Sequence, residues 1–290
     1  MPETPLLASR LNPKLSRRKA AKWVLNDAFR EFATHLADVG TSEDPELVHH
    51  TRIGWRRFKT ALWLFKPTLA TTAKPPTAPL RPLLGGLGKL RNLEVALNET
   101  LPPLAQAYIA GDAHRAGAWQ ALLQTLTQAA HQQRQAVRAT LQQASTQHSL
   151  QATTQWLKDL PIAKRPPGAN TKIAGTLHQW ARDRVAHLHK ELQAQRKLAV
   201  DAESQHRTRI LAKRTRILAK RMRYAIEALH PLLPVLHTRN WYAQARELQA
   251  HIGAARDITL ASALVDELSL KGGPADFLRG VQYQSCKACA

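Results

Sequence analysis

Apolar residues along this chain recur at three- and four-residue steps, the period of an α-helix, and nowhere alternate as a half-buried strand requires. The spacing predicts helices over Lys14–Val39, Pro45–Phe65, Asn92–Thr100, Trp119–Ala144, Ile173–Lys197, Arg207–Leu229, Trp241–Ile252 and Ile258–Leu268. Ala, Leu, Gln and Arg dominate these segments, while Pro and Gly gather between them. Asp44-Pro45-Glu46 is a helix start. A carboxylate caps free N–H groups, proline takes the first turn, and a second acid sits at the positive end of the helix dipole. The expected fold is all-α.

Two proline-rich stretches interrupt the pattern. Pro67–Pro82 reads as a loop, and Leu160–Asn170, with Pro161, Pro166, Pro167 and Gly168, reads as a linker. The chain then divides into residues 1–159, a linker over 160–171, and residues 172–290 with a short C-terminal tail. The two parts resemble each other. Each opens with a long helix, continues into one rich in His, Arg and Lys, and reaches a Gly-x-x-Arg-Asx step. That step is Gly88-Lys89-Leu90-Arg91-Asn92 in the first part and Gly253-Ala254-Ala255-Arg256-Asp257 in the second. A long-period repeat of helical units predicts a pseudo-symmetric pair of bundles.

The basic residues fall on defined helix faces. With Lys213 as origin, His206, Arg209, Arg216, Lys220 and Arg223 lie within roughly 80° of it, in a row about 25 Å long. Leu211, Leu218 and Met222 lie opposite, where they enter a core. In the first half, His49, Arg52, Arg56 and Lys59 share one arc, Trp55, Phe58, Leu62 and Phe65 supply a core face, and Arg57 points elsewhere. No acid occurs between His49 and Lys66, whereas an ordinary solvated helix face mixes both signs. Like charges in a row repel unless a polyanion lies along them. Arginine grips two phosphate oxygens at once, lysine acts as a mobile point charge, and histidine is more readily protonated among phosphates.

The net charge of +21 and a sequence pI near 10.7 favour nucleic acid, an anionic membrane surface or another polyanion. Met1–Arg10 lacks a signal-peptide core, and no run approaches the ~20 apolar residues of a membrane span, so a soluble cytoplasmic protein is expected. Cys286 and Cys289 form a lone C-x-x-C without a second pair, expected to be an exposed, inert tail, with zinc or redox use the alternative. Gly85-Gly86-Leu87-Gly88-Lys89 fails the phosphate-loop pattern, since Leu83 replaces its first glycine and Leu90 its Ser or Thr. Thirteen histidines include no His-Glu-x-x-His, and His49 and His50 diverge on a helix, as do His187 and His189. With few acids to hold magnesium and no nucleophile–base set, the chain reads as a binder rather than an enzyme, with neither cofactor nor metal.

The pattern His-x-x-Arg-x-x-x-Arg/Lys-Arg-x-Arg/Lys, followed downstream by Leu-Gly-x-x-Arg-Asp, resembles the conserved histidine α-helical, or CHAD, domain. It occurs as His49 to Lys59 with Leu87 to Asn92, and again over 206–227 with Gly253 to Asp257. The second helix ends Lys220-Arg221-Met222-Arg223-Tyr224-Ala225-Ile226-Glu227, similar to the family's Lys-Arg-x-Arg-Tyr-x-x-Glu. The resemblance covers roughly residues 14 to 270. It implies two four-helix bundles related by a pseudo-twofold, with basic helices facing a central channel that binds inorganic polyphosphate. The triphosphatase signature Glu-x-Glu-x-Lys, to which such domains are often joined, is absent, and Glu43, Asp44 and Glu46 are helix-start residues.

Two departures stand out. Asn92 replaces the family's Asp, a mild change if the position caps a helix. Arg207–Lys213 and Arg214–Lys220 are the same seven residues in tandem, so Lys213 fills the histidine position and His206 lies beyond it. The extra copy rotates a helix by only about 20° while lengthening it by about 10 Å. It either extends the cationic row or bulges at the helix start. The expected polyphosphate contacts are His49, Arg52, Arg56, Arg57 and Lys59, with Lys213, Arg216, Lys220, Arg221 and Arg223 opposite, and Arg209 as an addition. Binding would localise the protein to polyphosphate deposits, with no membrane partner. The alternatives are nucleic-acid binding, though Trp23, Trp55, Phe58, Trp63 and Phe65 look like core rather than stacking platforms, and recruitment of an enzyme of phosphate metabolism.

Overall fold

The computed structural model describes residues 11–70, 72–161, 176–200 and 205–288, which are helical nearly throughout and contain no strand. Helix α1 is Arg17–Thr41 and α2 is Pro45–Leu64, with the Asp44 carboxylate accepting the Glu46 amide at 2.9 Å as the cap expected there. Then come α3 (Arg81–Val95), α4 (Pro102–Ile109), α5 (Ala113–Gln142), α6 (Ala144–Asp159), α7 (Leu177–Val200), α8 (Gln205–Leu229), α9 (Val235–Glu267) and α10 (Gly273–Ala288).

Several boundaries differ from the pattern reading. α3 begins at Arg81, inside what the composition marks as loop, and runs through Gly85, Gly86 and Gly88. Leu80, Leu83, Leu87 and Leu90 are all buried at helical spacing, and their burial outweighs a cost of about 1 kcal/mol per glycine. α9 is one helix where two are expected, because Gly253 does not break it. Both Gly-x-x-Arg-Asx steps therefore lie inside helices, so Asn92 caps no N-terminus. The C-terminal segment holding Cys286 is helical in α10, with Ala275 and Leu278 buried, and Cys289 lies outside the described residues. The backbone stays helical through both copies of the seven-residue duplication from Gln205 onward, so the repeat lengthens α8 rather than bulging from it.

Packing divides the chain into two compact units. One comprises the segment ending at Thr34 with Ile53–Pro76 and Ala152–Ala250; the other comprises His35–Arg52, Thr77–Gln151 and the segment from His251. Each draws on residues from both sides of the proline-rich linker. In the first unit, Leu177, Ala181, Val185, Leu188 and Leu192 of α7 bury against Leu218, Met222, Ala225 and Leu229 of α8. There α1 and α2 approach so closely that a Cβ on Gly54 would stand 2.8 Å from the Phe32 amide nitrogen, a position only glycine fills without displacement. The core of the second unit joins Leu93, Leu101, Trp119, Leu126 and Leu278.

Candidate functional site

The cationic row of α8 belongs to the first unit, and its face follows from the helix period. Leu211, Leu218 and Met222 are buried, which turns Lys213 to solvent and leaves Arg216, Lys220 and Arg223 half-buried along the rim. Glu227 closes the row. It lies about 40° from Lys213 on the helical wheel, one turn beyond Arg223, and it is where α2 meets α8.

The Glu227 carboxylate collects three partners. Arg57 of α2 reaches it at 3.4 Å, Arg223 stands 3.5 Å away, and the Tyr242 hydroxyl of α9 donates to it at 3.1 Å. Arg57 also forms a close ion pair with Glu31 of α1, so one guanidinium ties three helices together. Burial, with the Glu227 charge beside it, pushes the Tyr242 hydroxyl above its usual pKa, keeping it a donor. The Arg223 guanidinium also lies 4.7 Å over the Tyr224 ring. Arg57, expected as a phosphate contact, is thus held by the carboxylates of Glu31 and Glu227. The 100° step that separates it from the Arg56 row was the signal available in the sequence. Glu31 and Tyr242 carried none.

A second junction sits at the end of α2. The Trp63 indole carries the Arg184 guanidinium 4.6 Å from its centroid and that of Arg221 at 5.2 Å. Arg184 donates weakly to the Leu64 and Trp63 carbonyls, at 3.4 and 3.5 Å, capping the negative end of α2. Arg56 is half-buried and Lys59 exposed, and neither has a carboxylate partner among the described residues. Lys213 has none either. Arg209, and His206 before it, lie outside the residues whose side chains are described.

His49 and Arg52 occupy the part of α2 that packs in the second unit. The His49 ring lies 5.8 Å from His50, which in turn lies 5.3 Å from His35. The Arg52 guanidinium rests against α3 at Gly88, where a Cβ would come within 3.1 Å of Nη1. His49, Arg52, Arg216 and Lys220 each engage other groups of the chain. Other cations of this unit are structural. Arg91 pairs with Glu99 at 2.7 Å, and Arg134 forms a buried pair with Glu94 at 2.6 Å. Arg134 and Arg138 both bind Glu43 and the Ser42 carbonyl, fastening the turn before α2. Among the described residues, no three His, Cys, Asp or Glu side chains gather as metal ligands would, and no helix is long and apolar enough to cross a membrane.

Comparison with solved structures finds the fold in a CHAD domain from the plant Ricinus communis, with a TM-score of 0.77 and 23% identity over 98% of this chain and 90% of that one. PptA from Streptomyces chartreusis is also similar, with a TM-score of 0.65 and 17% identity over 93% of this chain and 95% of that one. At these identities the likeness concerns the fold alone. A comparison with curated proteins found no match. The CHAD domain family model matches residues 24–266, spanning most of the chain and both basic helices, and the protein belongs to the CHAD domain family.

Proposed function

We propose that the protein binds inorganic polyphosphate along its basic helix faces, without hydrolysing it, as two pseudo-symmetric bundles around a basic channel. The observation that carries this reading is the row Lys213, Arg216, Lys220 and Arg223 on α8, which contains no acid until Glu227 closes it. Arg56 and Lys59 of α2 add to it, and His49 and Arg52 continue along the same helix. Lys213 and Lys220 are about 10 Å apart along the axis, so a flexible anion with a charge on every repeat unit meets one cation per helical turn. The extra seven residues lengthen α8 by about 10 Å, and the sequence spacing puts Arg209 in line with this row.

The aromatic residues favour this ligand over nucleic acid. Phe58 and Phe65 are fully buried, Phe65 stacks on Trp180 at 4.9 Å, and Trp63 carries guanidiniums. A single-stranded nucleic acid gains much of its affinity by stacking bases on exposed rings, and the α2 rings near the basic residues are already engaged. Polyphosphate asks only for charge and hydrogen-bond donors. The cellular counterpart of this reading is a cytoplasmic protein gathered on polyphosphate deposits.

The test is a filter-binding titration of the full chain with polyphosphate, tripolyphosphate, RNA and single-stranded DNA at two salt concentrations. Polyphosphate affinity should fall steeply with salt, and Lys220→Gln should weaken it. Single-stranded DNA that displaces polyphosphate at equal phosphate concentration would transfer the reading to nucleic acid. Failure of polyphosphate to bind at low salt would end it.

A further inference from the structure

We propose that Arg184 and Arg221, laid on the indole of Trp63, form an additional phosphate-holding pair that extends the polyphosphate site from α8 to α7. This rests on the function proposed above and names residues beyond the basic rows: Arg184 and Trp63 belong to neither motif, and Arg221 sits at the edge of its row.

Geometry argues for a ligand here. Both guanidiniums lie on one ring, at 4.6 and 5.2 Å from its centroid, so two like charges share a single aromatic support. Neither has a carboxylate within ion-pair distance among the described residues. Elsewhere in this unit a guanidinium brought into the interior finds an acid, as Arg57 finds Glu31 and Glu227. The acid that acts on Arg184 is Glu191, two turns along α7, whose charge only partly offsets burial; burial is the larger influence and lowers the pKa of Arg184. The ring attracts both cations through its quadrupole but does not cancel their charge.

The orientation is also fixed in advance. Arg184 is aimed by the Leu64 and Trp63 carbonyls, reached through Nε and Nη2, leaving Nη1 without a backbone partner. Arg221 is aimed by the same ring from α8. An arginine plane pinned by stacking loses little freedom when it takes up oxygen atoms, so a phosphate chain that reaches either guanidinium meets donors already in place. Arg221 follows Lys220 directly, so an anion leaving the α8 row at Lys220 reaches the pair within one residue. Because Trp63 supports guanidiniums, the subsite suits phosphate oxygens rather than a base.

A cap alone would also explain Arg184, and the experiment separates the two. Polyphosphate affinity and its salt dependence are measured for the full chain, for Arg184→Gln and for Arg221→Gln, with Lys220→Gln as reference and thermal unfolding recorded in parallel. Each arginine variant is expected to weaken binding about five- to tenfold at low salt and to lower the slope of log affinity against log salt by roughly one unit. Arg184→Lys should recover only part of the loss, since an ammonium does not stack as a planar fork does. Arg221→Gln, which touches no backbone cap, keeps the test valid should Arg184→Gln unfold. If Lys220→Gln weakens binding while both arginine variants match wild type in affinity and slope, the subsite is refuted and the α8 row stands. If wild type does not bind polyphosphate at all, both fall together.

Discussion

Arg57 gives the clearest way to separate cations that build this fold from cations that serve a ligand. Its guanidinium bridges Glu31 and Glu227, and the three side chains are 21%, 22% and 17% exposed. Removing one partner of a fully buried ion pair costs about 3–5 kcal/mol, because the other charge stays buried without compensation. Glu227 would keep Tyr242 and Arg223, so the loss falls mainly on Glu31, one of whose oxygens already lacks a hydrogen-bond partner. Allowing for the solvent that reaches the group, Arg57→Ala should cost about 2 kcal/mol. For a chain of this size that lowers the unfolding midpoint by about 4–8 °C. The assay is thermal unfolding by circular dichroism at low salt without phosphate, alongside Arg56→Ala, which should shift the midpoint by less than about 2 °C, its free-energy cost lying within the ±0.5 kcal/mol typical of surface substitutions. Adding Glu31→Gln to Arg57→Ala should restore more than half of the loss by removing the stranded charge. An Arg57→Ala protein that melts with wild type yet binds polyphosphate as poorly as Arg56→Ala would refute this division and return Arg57 to the ligand contacts.

Gly54→Ala places a methyl group 2.8 Å from the Phe32 amide nitrogen and should cost about 3 kcal/mol, read as a lowered denaturation midpoint with the denaturant slope unchanged. Gly88→Ala brings its new carbon within 3.1 Å of the flexible end of Arg52, so it should displace the guanidinium without unfolding the chain. Polyphosphate affinity should fall, and Gly88→Ala with Arg52→Ala should be no worse than Arg52→Ala alone. Burial raises the Glu94 carboxyl from its ordinary 4.5 to about 7 against the opposing pull of Arg134. The folded state therefore holds that proton more tightly than the unfolded chain. The resulting stability is complete below pH 4.5 and lost as pH climbs through about 7, up to about 3 kcal/mol, and Glu94→Gln should flatten this part of the pH–stability curve.

What was legible in the sequence follows from which interactions are local. α1, α2 and α8 begin and end close to where periodicity places them, since their apolar stripes are strong and Asp44-Pro45 marks a start that needs no tertiary partner. α3 was legible only at its end: Pro67–Pro82 reads as a loop on its proline, threonine and alanine content, and the spacing places a helix only from Asn92. Three glycines in four positions oppose helix locally, and the buried row Leu80, Leu83, Leu87 and Leu90 overrides them. Gly253 misled in the same way within α9. The basic rows were visible because a helical face is a property of spacing. The partners of those rows were not: Glu31 and Arg57 lie 26 residues apart and Arg57 and Glu227 lie 170 apart, and no pattern along the chain pairs them. Arg184 was hidden for the same reason. It stands in an ordinary mixed-charge helix and gains its meaning only where α7 crosses the end of α2.

Composition alone guarantees unmatched cations, since 42 Lys and Arg face 21 Asp and Glu. Their mere presence is therefore no argument for a ligand, and what matters is how the acids are spent. Glu31 and Glu227 hold Arg57 and Arg223, Glu43 and Glu94 hold Arg134 and Arg138, and Glu46 and Glu99 hold Arg91. Most of these pairings fasten one helix to another or secure a turn, while Arg223–Glu227 lies within α8. The sequence puts no acid between Lys213 and Lys220, and neither Arg184 nor Arg221 forms an ion pair among the described residues, although Glu191 acts on Arg184 from along α7. A chain under no demand beyond folding would scatter its acids among such rows, as solvated helices ordinarily do. A face whose sequence is of one sign raises local anion concentration at some expense in self-repulsion, and the proposed capture of a charged polymer depends on that property.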